Sequence, residues 1–353
     1  MAKTKTPIRI ISRLLIIGLL VLAVLIVYLL INEKPLKTSI ADPLPPLKTD
    51  KIEIGAFVGA NPPTLNAIEM FEKLSEHSLY SIMWFAGWDA NNQPDFPRSA
   101  LDAISSEKTT TTPLVLHLTW EPAVNLKDIV KGSYDNYISK YARSIKAWGG
   151  EIRFRFAHEM IQDNVYDGKE FYRWQDQPEN YVKAFRHIHD IFAKAGASNA
   201  KFVWCPNNHP ADINIVKQYY PGIEYVDWLC IDGYNWGNND DKPGWPDWMW
   251  FDDIFANIYH TFVDHPEIFG DKPIMIGEFA SCEASSHDLQ GQNKAEWIKN
   301  AFERIASPDF KKIKAFHWFQ INKECDWRVN SSDSAKAAFK AALKNKRFNS
   351  RKP

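Results

Sequence analysis

The sequence predicts a (β/α)8 TIM barrel of the α/β class, preceded by an N-terminal transmembrane helix. Three observations lead there. Eight apolar, strand-like runs recur between residues 52 and 320, amphipathic helical patterns fill the gaps, and a basic segment followed by an uninterrupted apolar run opens the chain. Strands that alternate with helices imply a parallel sheet covered by those helices. Eight such units favour closure over an open doubly wound sheet, and the first turn, GAFVGANPPT, lacks the GxGxxG of a dinucleotide site. A length of 353 residues accommodates one barrel and a short extension.

In chain order, residues 1–13 carry Lys3, Lys5, Arg9 and Arg13 and read as a cytoplasmic basic tail. The run from Leu14 to Ile31 reads as a signal anchor that crosses the lipid bilayer, and the flanking basic residues place everything after Asn32 outside the cytoplasm. A secreted product is the alternative if the segment is cleaved, although NEKPLKTSIADP offers no convincing small-x-small cleavage site. Residues 32–50, with Pro35, Pro43, Pro45 and Pro46, read as a linker, and 51–348 as the barrel domain. The expected location is therefore a membrane-anchored, extracytoplasmic domain.

Strands are expected near 52–59, 79–88, 113–120, 151–159, 201–207, 226–234, 273–280 and 313–320. Between them NAIEMFEKLSEH, YDNYISKYARSIKAW, ENYVKAFRHIHDIFAKAG, QNKAEWIKNAFERIA and SAKAAFKAALKN have helical periodicity. Long segments after strands four and six, IQDNVYDGKEFYRWQDQ and NWGNNDDKPGWPDWMWFDD, are expected to wall an extended cleft, because loops at the C-terminal ends of barrel strands carry binding.

Composition narrows the partners. A formal net charge of -1, from 42 basic and 43 acidic side chains, supplies no field for a phosphate backbone, so nucleic acid is not expected. Fourteen tryptophans, 13 tyrosines and 21 phenylalanines provide rings that either fill the core or stack on apolar faces of a ligand. Cys205, Cys230, Cys282 and Cys325 lack zinc-ribbon or CxxC spacing and read as buried thiols, with a Cys282–Cys325 or Cys205–Cys230 disulfide as the alternative. No motif requires a cofactor. No ligand spacing favours a metal at His117, His158 and His317, and NNDDKPG has no EF-hand pattern.

Two glutamates stand at strand ends, Glu159 in EIRFRFAHEM and Glu278 in KPIMIGEFA. By the strand count they end strands four and seven and face one mouth of the barrel. A carboxylate in an apolar run is costly unless it is paired, for example with Arg155, or functional. Two at matching depths suit acid/base and nucleophilic cleavage of a glycosidic bond, which in a retaining enzyme needs carboxyls about 5 to 5.5 Å apart. Arg155 and Tyr234 can hydrogen-bond an ionised carboxylate. His158 either supports the mouth or touches a sugar. His117 faces inward, where it is a candidate substrate contact, or simply packs. Trp318 is placed for an indole floor under a sugar ring, with Trp120, Trp204 and Trp236 as further candidates against which core packing competes.

These blocks resemble glycoside hydrolase family 26, in the clan of retaining (β/α)8 glycosidases, over roughly residues 52–345. RFRFAHEM is similar to the family's Arg-x-x-His-Glu-Met block and gives Arg155, His158 and Glu159. IGEFA gives Glu278, FVWCPN gives Trp204 and Asn207, and DGYNW gives Asp232, Tyr234 and Trp236. The family's strand-eight tryptophan corresponds to Trp318. The resemblance implies Glu159 as acid/base, Glu278 as nucleophile, and a β-linked polysaccharide as substrate: β-1,4-mannan first, mixed-linkage β-1,3-1,4-glucan or β-1,3-xylan as alternatives. Ile161 and Gln162 stand where many members have Asn-Gly, and TWEP (119–122) is closer to the glucanase-like branch. A membrane-tethered glycan-binding protein without catalysis and a polysaccharide-processing transglycosylase remain as readings of another kind.

Overall fold

A computed structural model of the chain describes residues 51–107, 114–161, 172–237, 247–284 and 289–349. They fall in a unit spanning Pro46–Pro353. Eight parallel strands form it: β1 (Ile52–Phe57), β2 (Ser81–Trp88), β3 (Val115–Pro122), β4 (Ile152–Phe156), β5 (Ala200–Trp204), β6 (Trp228–Asn235), β7 (Ile274–Ser281) and β8 (Ile313–Phe319). They pair in sequence order, and β1 bonds both β8 and β2, so the sheet closes on itself. The short β9 (Phe348–Asn349) pairs with the first residues of β1. All eight expected strands are present, but β1, β4 and β5 end earlier than the apolar runs suggested.

The expectation of a transmembrane helix is corrected. Among the described residues no helix is long and apolar enough to cross a membrane. The segment 14–31, on which the anchor, the bilayer as partner and the membrane location all rested, lies outside the described residues.

Period-two alternation sorts each strand into a helix-facing and a lumen-facing side. In β4, IRFRF, Phe154 packs on Phe192 and Phe202 while Phe156 packs on Tyr181 and Phe185. The intervening Arg153 and Arg155 turn into the lumen, where Arg153 reaches Glu53 at 2.5 Å. Phe192, Tyr181 and Phe185 belong to the helix Pro178–Ala195, whose buried residues recur every three or four positions. Proline in its first turn and Gly196 in the left-handed conformation after its last set its two ends. Most of the hydrophobic core lies between barrel and helices; a smaller cluster of Val203, Cys205, Trp228, Cys230, Met275 and Ala315 fills the lumen.

All four cysteines are paired, as Cys205–Cys230 and Cys282–Cys325, which corrects the reading as free thiols. The closed sheet explains the first pair: Trp204 is in register with Leu229, so the next residues, Cys205 and Cys230, lie side by side. Cys282–Cys325 ties the end of β7 to the loop after β8 across 43 residues. Closing a loop of that length restricts the unfolded chain by about 4 kcal/mol. Cys325→Ser is therefore expected to lower stability by ~2–4 kcal/mol in urea unfolding, and the difference from wild type should vanish when both are fully reduced.

Candidate active site

The mouth of the barrel is built from ends of β2, β3, β4, β6, β7 and β8. Glu278 enters it because β7 is irregular. Ile231 pairs with Ile276 and Asp232 with Glu278, so Gly277 is an extra residue between two regular pairs. Without this bulge, alternation would place Glu278 on the helix-facing side with Ile276; the bulge turns it inward. Only glycine fits at 277, since a Cβ there would lie 2.5 Å from Asp232 Oδ1 and 2.8 Å from Arg155 Nη1.

Glu278 is buried, and each of its oxygens is engaged. Arg155 Nη2 donates to Oε1 at 2.5 Å and the Tyr234 hydroxyl donates to Oε2 at 2.5 Å. Arg155 also donates through Nη1 to Asp232 Oδ2 at 2.7 Å and through Nε to Thr119 Oγ1 at 2.8 Å. Burial works against the Arg155 charge, but Asp232 and Glu278 outweigh it and raise the guanidinium above its ordinary range. Burial, and then the neighbouring Glu278, hold the Tyr234 hydroxyl protonated well above its usual value. Both groups are thus fixed as donors. His158 Nε2 stands 3.9 Å from Glu278 Oε1. Burial and Arg155 push its pKa far down, so it sits there neutral.

Glu159 comes from a kinked segment rather than from a strand. β4 ends at Phe156, and Ala157 and Glu159 adopt φ of 45° and 52°, a left-handed conformation that side-chain-bearing residues seldom hold. The surroundings pin it: Glu159 N donates to Cys205 O at 2.8 Å, Gln175 Nε2 to Glu159 O at 2.8 Å, and Trp174 Nε1 to His158 O at 2.7 Å. Asn207 Oδ1 accepts from Ile161 N at 3.2 Å and steadies the chain just beyond. The half-buried Glu159 side chain lies near Tyr172. Burial, then Glu159, Glu278 and Glu121, raise the Tyr172 hydroxyl well above its usual range. That hydroxyl is 3.4 Å from His158 Nε2, and its ring stacks on Trp174 at 4.4 Å.

The structure thus brings Arg155, His158, Glu159, Tyr234 and Glu278 to one mouth, with Asn207 beneath the adjoining loop. Trp236, half-buried, joins them beyond β6, packed edge to face on Trp327 at 4.7 Å. Four expected contact residues are elsewhere. Trp318 is fully buried among Phe279, Phe302 and Phe339 on the helix side of β8. Trp120 packs on Tyr137 and Tyr141, and Trp204 on Tyr220 and Phe269. His117 lies deep in the lumen against the His317 ring at 4.5 Å. None of the four has a surface at the mouth. The aromatic wall there consists instead of Phe85, Tyr172 and Phe319, alongside Tyr234 and Trp236, with the fully buried Trp327 packed behind Tyr234 and Trp236. The segments 162–171 and 238–246 of the two expected cleft walls lie outside the described residues.

Three comparisons bear on this geometry. The family model described as glycosyl hydrolase family 26 matches residues 117–305. Endoglucanase H of Acetivibrio thermocellus is 36% identical over 301 residues, which cover 83% of this chain and 30% of that protein. The chain therefore spans less than a third of the length of this curated relative. Among solved structures, the catalytic domain of a family 26 endo-β-1,4-mannanase from Bacillus sp. JAMB-750 superposes with a TM-score of 0.60 at 13% identity, covering 85% of this chain and 87% of that one. A modular endo-β-1,4-mannanase from Cellulomonas fimi does so with a TM-score of 0.58 at 15% identity, covering 85% and 72%. At these identities the structures establish the shared barrel. The family follows from the matched model, which spans more than half of the residues and includes both strand-end glutamates: the chain belongs to glycosyl hydrolase family 26.

Proposed function

We propose that this chain is a retaining endo-β-glycanase that cleaves a β-linked polysaccharide, with Glu278 as nucleophile, Glu159 as acid/base and β-1,4-mannan as the expected polymer. The observation that carries this reading is the state of Glu278. Its carboxylate accepts from Arg155 and Tyr234, which pair it with a cation and fix its orientation, as a nucleophile requires. Glu159, in the same mouth, is only half buried, which suits a group that alternately carries and releases a proton.

In the first step Glu159 gives its proton to the glycosidic oxygen while a Glu278 oxygen bonds to the anomeric carbon. The leaving chain departs and a covalent glycosyl-enzyme remains. In the second step Glu159 takes a proton from water, whose oxygen displaces Glu278, so the anomeric configuration is retained. Arg155 and Tyr234 stabilise the Glu278 anion before attack and after its release. The neutral His158 beside Glu278 adds no competing charge.

A second polymer is favoured by one observation: the 36%-identical relative is named an endoglucanase, while the mannanases of similar fold share only 13–15% of residues. The test is a parallel digestion of mannan, mixed-linkage β-glucan and β-1,3-xylan by the full chain, following reducing ends and product sizes. Cleavage of mannan supports the proposal as stated, and cleavage of β-glucan alone moves the substrate to the second reading. Binding without cleavage of any polymer sinks the catalytic reading.

A further inference from the structure

We propose that Glu121 is a substrate-binding residue, whose carboxylate accepts hydrogen bonds from ring hydroxyls of the glycan on the β2–β3 side of the mouth. The inference rests on the hydrolase reading above and goes beyond its two catalytic carboxylates. Alternation along β3 puts His117, Thr119 and Glu121 on the lumen side at rising heights. His117 is deep against His317, Thr119 accepts from Arg155, and Glu121 stands at the layer above, level with the opening. Its register partner on β2 is Gly87. Gly87 is exposed, and a Cβ there would meet only Glu121 Oε2 within 4 Å, at 3.9 Å. A bare stretch of backbone therefore lies open beside this carboxylate.

Among the described residues no hydrogen bond or ion pair engages the Glu121 side chain, although it is half-buried. The groups that face it are Glu278 from β7, Arg155 from β4, Lys323 from the loop after β8, and Tyr172 from the segment after β4. Burial, and then the charge of Glu278, push its pKa up to about 7, with Arg155 and Lys323 pulling the other way. A carboxylate left this way weakens the fold unless a ligand satisfies it. Glycans match it chemically: vicinal hydroxyls supply two O–H donors to the two carboxylate oxygens.

The test uses the full chain carrying Glu121→Ala or Glu121→Gln, on whichever polymer the wild type cleaves, together with oligosaccharide binding to the same variants in a Glu278→Ala background. Glu121→Ala is expected to raise KM and the oligosaccharide Kd by about 10- to 100-fold, the loss of a charge-assisted hydrogen bond or two, with kcat changed far less. Glu121→Gln, which keeps one acceptor oxygen, should recover part of the affinity. Stability separates binding from a structural role. A carboxyl raised to about 7 in the fold, against about 4.5 unfolded, contributes stability that is complete below pH 4.5 and lost as pH rises through 7. Glu121→Gln should therefore raise Tm at pH 8 relative to wild type, and by less at pH 5. Unchanged KM and Kd in both variants of an active enzyme would overturn the proposal, as would a Tm that falls in Glu121→Gln at pH 8. Failure of the wild type itself to cleave any polymer would instead overturn the underlying hydrolase reading.

Discussion

Glu278→Ala is expected to lower kcat by at least ~10⁴-fold, because no covalent glycosyl-enzyme can form without the attacking oxygen. The fold should survive. Arg155 keeps its 2.7 Å pair with Asp232, so removing Glu278 does not strand the buried cation. Glu159→Ala should cost ~10²–10⁴-fold on a polymer, the range for loss of a proton-transfer group. It should cost much less in the first step on an aryl glycoside whose leaving group needs no proton. Sodium azide distinguishes the roles through product stereochemistry. In Glu159→Ala it intercepts the glycosyl-enzyme and gives a glycosyl azide of retained configuration; in Glu278→Ala it takes the place of the missing carboxylate and gives the inverted one. NMR of the azide products reads this directly. Retained product from Glu278→Ala, or near-normal turnover of the polymer, would mean that the roles are assigned to the wrong residues.

The mouth was legible in the sequence wherever a motif carried it, and illegible wherever the third dimension did. Arg155, His158 and Glu159 stand in one short block, and Tyr234 and Glu278 end strands that the apolar runs delimit. Trp120, Trp204 and Trp318 are not at the mouth because an aromatic near a strand end reaches it only from the lumen-facing side of the strand. Trp318 follows His317, and strict alternation from the lumen-facing His317 already sends Trp318 toward the helices with Phe316. The same parity places Trp120 opposite to Thr119, and Glu121 with it. Glu278 shows the limit of that rule: in MIGEF parity alone points it outward, and only the bulge at Gly277 restores it. The disulfides were open for another reason, since residues 25 and 43 positions apart become neighbours only through sheet order and loop path. Nothing in the strand patterns singled out Asp232 as the second anion on Arg155, nor Tyr172 and Trp174 as the brace for the kink at Glu159.

Arg155→Met is expected to lower stability by about 3–5 kcal/mol, the largest effect on folding of any single substitution at the mouth. The guanidinium is fully buried and holds two carboxylates and a threonine hydroxyl at once. Replacing it with an apolar chain leaves Asp232, fully buried and with its pKa already raised by that burial, without the cation that pulls the pKa back down. That is the case in which a broken buried pair costs far more than the intact pair contributes. Lysine does not repair it, because a single ammonium cannot present separate N–H donors to Thr119, Asp232 and Glu278 from fixed positions. Arg155→Lys should therefore recover part of the stability and little of the activity. Urea unfolding measures the first and turnover of the cleaved polymer the second. Adding Asp232→Asn to Arg155→Met removes the stranded charge, so the double variant should be more stable than the single one, a coupling that independent sites would not show. Lowering the pH acts in the same direction: protonating Asp232 neutralises it, and the deficit of Arg155→Met should shrink as the solution becomes more acidic. A deficit below 1 kcal/mol, or one that does not change with pH, would show that the buried triad of Arg155, Asp232 and Glu278 is not what holds the mouth in its charged, oriented form.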